Sequence, residues 1–150
     1  WLERFDGEDS SVHLTDIPET PVAWRNDALA AKWSNIRAAR RVVTAALEIQ
    51  RTEKVIGASL EAAPTVFVAD AELAEVLKSI PFNDICITST ITITTEDAQS
   101  EAFTLADVDG IAVQFAKAEG AKCGRCWKIL PDVGQHSHAQ TCGRCNDALG

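Results

Sequence analysis

The chain has 150 residues, 24% of them charged, and a formal net charge of −8. That length supports one or two small domains with a real core, and no run approaches the roughly 18 apolar residues that a membrane helix needs. The first 30 residues are dotted with acids and prolines, which is no pattern for a secretory leader, and the chain opens on Trp1 without a single Met, so a piece of a longer protein is expected.

The charge is unevenly spread. Residues 1–27 are acidic, with Arg4 and Arg25 as their only basic groups, and residues 55–116 are strongly acidic, with Lys78 alone against them. Basic groups concentrate at Lys32, Arg37, Arg40, Arg41, Arg51 and Lys54, and again at Lys117, Lys122, Arg125, Lys128 and Arg144. An acidic total alone argues against a polyanionic partner. Two local basic patches leave that partner open.

Residues 27–54 read as a long helix. Leu29, Trp33, Ile36, Val43 and Leu47 share one face at 3–4–7 spacing, Asp27 is a candidate N-cap, and Gly57 lies just beyond the end. Arg37, Arg40, Arg41, Arg51 and Lys54 fall largely off that stripe, where they form either a solvated face or a surface for a phosphate backbone. The period then changes to two. Residues 65–69 suit a strand, and Asp70 opens a small helix over 71–79. Residues 85–94 alternate apolar and polar, as in a half-buried strand or a pair of them. Residues 111–116 suit another, after a turn at Asp109-Gly110. Cys86 sits on the apolar phase and reads as a small core residue.

The chain ends in two copies of Cys-Gly-Arg-Cys, Cys123–Cys126 and Cys142–Cys145, with fifteen residues between them. This spacing fits a structural zinc site. Two intervening residues let both thiolates of a tight turn face one side, and two such turns supply a tetrahedron of sulfur. A tail so poor in apolar residues would draw much of its folding free energy from the metal. Disulfides, a redox pair or another metal are the alternatives, but the first would leave Cys86 unpaired. With four thiolates in place, His136 and His138 are loop residues, and the closed shell makes one zinc structural rather than catalytic. Trp127 follows a ligand directly, with Arg125, Lys128 and Arg144 beside it. Such a set can stack on an unpaired base and meet phosphates. Equally, Trp127 can cap the small core of the module. No phosphate-binding glycine loop, nucleophile elbow or partnered histidine is present, so no catalytic residue is assigned.

These residues resemble the C-terminal end of bacterial isoleucyl-tRNA synthetases. The likeness runs through Ser11-Val12-His13-Leu14, Trp33, Arg37, Arg51, residues 54–62, Lys122–Trp127, Asp132-Val133-Gly134 and Thr141–Cys145. It implies an α+β chain in three parts. Residues 1–57 would close a helical anticodon-binding domain, residues 58–116 would form a small mixed α/β junction module, and residues 117–150 a four-cysteine zinc finger held by Cys123, Cys126, Cys142 and Cys145. It further implies a cytoplasmic, monomeric parent with no membrane contact that joins isoleucine to its tRNA, with editing of misacylated product. ATP and Mg2+ would belong to a catalytic domain absent from this segment. Trp127, Arg125, Lys128, Arg144, Arg37 and Arg41 are the candidate contacts to the isoleucine tRNA. The other readings are the zinc-finger tail of a DNA-repair glycosylase, which calls for a helix-two-turn-helix before the finger, and a purely structural zinc module. Missing neighbours would leave an apolar face on residues 29–47, which packs within this chain or, if exposed, invites self-association.

Overall fold

The computed structural model describes residues 11–14 and 16–150. The expected helical domain over residues 1–57 therefore begins partly outside the described residues. The chain divides into two compact units, one ending at Ala31 and one running from Lys32 to Gly150. Among the described residues no helix is long and apolar enough to cross a membrane.

The first unit holds two short 3-10 turns, Val12–Leu14 and Val22–Trp24, and the first residues of helix α1 (Asp27–Thr52). The side chain of Asn26 caps that helix, accepting the N–H of Leu29 at 2.9 Å. Asp27, the expected cap, lies inside the first turn and pairs with Arg25 at 3.0 Å. Asn serves as well as Asp here, because either side-chain oxygen can satisfy an orphan N–H of the first turn.

In the second unit α1 buries Ile36, Ala39, Val42, Val43, Ala46 and Leu47. Expectation and structure agree from Ile36 onward; Leu29 and Trp33 remain 49% and 37% exposed. The helix ends with Lys54 in the left-handed region (φ 59°). The N–H of Val55 reaches back to the carbonyl of Gln50, which closes the last turn. Glu61 then accepts the N–H groups of Gly57 and Ala58, both at 3.2 Å, and fixes the turn into the sheet.

A four-stranded sheet follows in the order β2-β1-β4-β3, with β1 Thr65–Val68, β2 Thr92–Thr94, β3 Phe103–Leu105 and β4 Val108–Gln114. Strand β1 pairs parallel to β2 and antiparallel to β4. A parallel pair needs a long crossover, supplied here by α2 (Ala71–Lys78) and α3 (Phe82–Cys86). Asp70 caps α2 through the N–H groups of Glu72 and Leu73, as its position in the sequence predicts. Ala74, Leu77, Phe82 and Cys86 join the face of α1 and the inner residues of the sheet in one core.

Two expectations about the strands fail. Residues 85–91 are not strand; Ile85 and Cys86 end α3, and Ile87 takes a left-handed conformation (φ 58°) that stops the helix. The alternation misleads because the burial is inverted: Thr88 and Ser89 are buried and Ile87 is 55% exposed. Nor is Asp109-Gly110 the turn before β4. Both residues lie within β4, and Leu105 pairs with Val108 around a turn at Ala106-Asp107. Gly110, at φ 71°, serves an irregular register instead.

Candidate metal centre

The tail begins with a small hairpin, β5 (Ala121–Lys122) paired with β6 (Ile129–Leu130). The first Cys-x2-Cys is the turn of this hairpin, where Trp127 N–H donates to the carbonyl of Cys123 at 2.9 Å. Gly120, at φ 116°, lets the chain enter. A Cβ there would stand 2.3 Å from the backbone of Leu130. The second Cys-x2-Cys opens the short helix α4 (Gly143–Asp147), with Cys142 at its N-cap position.

These two turns bring the sulfurs of Cys123, Cys126, Cys142 and Cys145 within 4.8 Å of one another. Four sulfurs about 2.3 Å from a single ion would lie about 3.8 Å apart. The Sγ atoms of Cys126 and Cys142 are 3.7 Å apart. All four thiols are free, and Cys123, Cys142 and Cys145 are buried. The donor set, spacing and enclosure fit one tetrahedral zinc with no room for a catalytic water.

Electrostatics favour a metal. Burial alone would push the Cys123 thiol up, yet backbone N–H groups of Cys126, Cys142 and Arg125 converge on it and bring it down to about 6. Burial and neighbouring thiols push Cys142 up to about 12. The N–H groups aimed at the Cys123 sulfur favour its thiolate, the form that binds a metal. The guanidinium of Arg125 stands 3.8 Å from the Sγ of Cys145 and adds positive charge to the rim.

The histidines are loop residues, as expected, and each has a structural task. Asp132 Oδ2 accepts the Gly143 N–H at 2.7 Å and holds His136 Nε2 at 3.0 Å. The Gly143 N–H, then His136, keep the Asp132 carboxyl below the usual carboxylate range. Asn146 Oδ1 accepts from the Ser137 hydroxyl at 2.8 Å and the His138 N–H at 3.1 Å, tying the loop to α4.

The remaining candidate residues part company. Trp127 is 61% exposed, in a left-handed conformation (φ 66°), with the Lys122 ammonium 5.6 Å from its ring centre. Arg125 and Arg144 are exposed. Lys128 is 8% exposed, and its ammonium lies on Asp84 of α3, which also takes Arg144 at 3.2 Å. On α1, Arg41 pairs with Asp107 and Arg40 donates to the carbonyl of Ile85 at 2.9 Å, while Arg37 is exposed and pairs with no carboxylate among the described residues. Asp84, Ser89, Asp132 and Asn146 were not candidates; only Asp132 stood in a stretch that carried the resemblance.

The family model described as "Zinc finger found in FPG and IleRS" matches residues 120–148. Its description names two kinds of protein. The curated relatives named here are of the second kind: an isoleucine–tRNA ligase of Ruegeria pomeroyi is 59% identical over all 150 residues. The chain matches the C-terminal part of isoleucine–tRNA ligases. Ligases of that name from Agrobacterium fabrum and Bartonella henselae are 49% and 48% identical over 89% of the chain. The chain spans 14–16% of the length of these ligases. Where the glycosylase reading calls for a helix-two-turn-helix before the finger, the structure has the four-stranded sheet.

Proposed function

We propose that this segment is the tRNA-holding end of an isoleucine–tRNA ligase, inert by itself. Residues 1–57 would close a helical anticodon-binding domain, residues 58–116 would join it to the zinc module, and residues 117–150 would present Trp127 to an unpaired base near the anticodon. The whole protein would join isoleucine to its tRNA with ATP and Mg2+ in a catalytic domain outside this segment, with editing of misacylated product, as a cytoplasmic monomer.

The observation that carries this reading is the state of Trp127. A left-handed backbone costs a non-glycine residue roughly 1–2 kcal/mol, and an exposed indole returns little of that by burial. A ring held out on a metal-stiffened turn offers a π-face, and stacking one base on such a ring is worth about 1–3 kcal/mol. Arg125 and Lys122 flank the ring where phosphates would run, Arg37 offers a further cation on α1, and Arg144 reaches phosphate only by leaving Asp84. Arg41 reaches phosphate only by leaving Asp107, and Lys128 serves inside the protein.

The test is binding of isoleucine tRNA to the full-length ligase and to its Trp127→Ala and Arg125→Ala variants. Weaker binding in both supports the reading. Unchanged affinity in both makes the zinc module a stiffener of the chain end.

A further inference from the structure

Beyond the backbone pairing of Ala62 with Lys117 and of the Ala118 N–H with the Glu61 carbonyl, the zinc module is fastened to the α/β module by polar side chains. Asp84, on α3, takes two cations that flank the metal ligands: Lys128, two residues past Cys126, and Arg144, between Cys142 and Cys145. The Lys128 side chain is 10% exposed and Asp84 39%, so this ion pair is shielded from water on the lysine side. Beside it Ser89, itself buried, accepts the Ile129 N–H at 2.6 Å and donates to the carbonyl of Leu60. A cavity of about 410 Å3 runs along the same seam, lined by Asn83, Thr90 and Leu130 among others. The apolar clusters on the two sides are separate, so the seam is held in register by its charged and hydrogen-bonded groups.

From this geometry we infer that Asp84 is a positioning residue for tRNA binding: it sets the angle at which the zinc module carries Trp127 relative to α1, without touching nucleic acid. This rests on the tRNA reading above. A base on Trp127 and a phosphate on α1 can be engaged together only if the two surfaces keep a fixed separation, and the gain from joining two contacts disappears when the joint swings. Lys128, named from the sequence as a tRNA contact, is the other half of this joint.

The test uses the full-length ligase with Asp84→Asn, and with Trp127→Ala in parallel. Amide exchange at Ile129 reports the joint, exchange at Trp127 reports the metal turn, and zinc content reports the site. In Asp84→Asn the Ile129 amide should exchange at least about tenfold faster, with zinc and the Trp127 amide unchanged, and tRNA affinity should fall about tenfold. Unaltered exchange at Ile129 overturns the inference, and so does a freed Ile129 amide with unaltered tRNA affinity. If Asp84→Asn loses zinc or fails to fold, Lys128→Met opens the same joint from the other side and is read by the same criteria. A loss in Trp127→Ala without one in Asp84→Asn refutes positioning alone. No loss in Trp127→Ala refutes the tRNA reading of the tail.

Discussion

Ser89 and Ile129, forty residues apart, share a 2.6 Å hydrogen bond across the seam between the sheet module and the zinc module. The Ser89 hydroxyl donates to Leu60 as well, so one side chain satisfies two backbone groups. Ser89→Ala leaves both part-buried groups without this partner, at about 1–2 kcal/mol each. A loss of roughly 2–4 kcal/mol in urea unfolding at fixed free zinc is expected. A change under about 0.5 kcal/mol, the usual range of a surface substitution, would show that water replaces the hydroxyl.

Trp127 should show a trade between stability and binding. Glycine adopts φ 66° without strain. Trp127→Gly is therefore expected to keep or raise thermal stability, by up to about 1 kcal/mol, while tRNA affinity falls about five- to a hundredfold. Melting curves and filter binding on one preparation check both halves. A destabilised variant would instead mark the indole as a cap on the module's core.

Asp132 works on the metal through its neighbours. It aligns the second cysteine turn by holding the Gly143 N–H, and His136 braces it. Partners of this kind change metal affinity about 10–100-fold when removed. Asp132→Ala should lose affinity in that range in a chelator competition, and His136→Ala should lose less. A larger effect from His136→Ala would make the histidine a ligand.

The Asp84 carboxyl has a definite pH signature. The hydrogen bond from Lys128 holds it below the ordinary carboxylate range, with burial opposing and Arg144 helping. The folded value lies below the unfolded one, so the unfolded chain binds more protons in between. The contribution of the pair is complete above about pH 4 and fades as pH falls through the folded value. Protons also compete for the thiolates, so the Asp84 carboxyl carbon shift is a cleaner measure than global stability. Its midpoint should lie below the ordinary value in the native protein and move up toward it in Lys128→Met. An ordinary midpoint in the native protein would remove the ion pair.

What the sequence reveals depends on how local the cause is. The cysteine quartet is legible because each pair makes its own turn, and the spacing alone brings two turns to one ion. Helix α1 is legible over Ile36–Leu47, where the apolar stripe is buried. Residues 85–91 are not, because Thr88 and Ser89 go inside to meet distant backbone. The carbonyl of Leu60 and the N–H of Ile129 leave no trace in the local alternation. Lys128 shows the same limit: its neighbours in sequence suggest nucleic acid, whereas its partner Asp84 lies 44 residues earlier on an acidic stretch that reads as solvated surface.

Sulfur-edge and zinc-edge X-ray absorption on the purified chain, with metal content determined on the same sample, tests the metal centre most directly. One zinc per chain with four sulfur neighbours at about 2.3 Å is the predicted result. A nitrogen neighbour from His136 or His138, or metal-free protein whose residues 120–148 stay equally ordered, would contradict it.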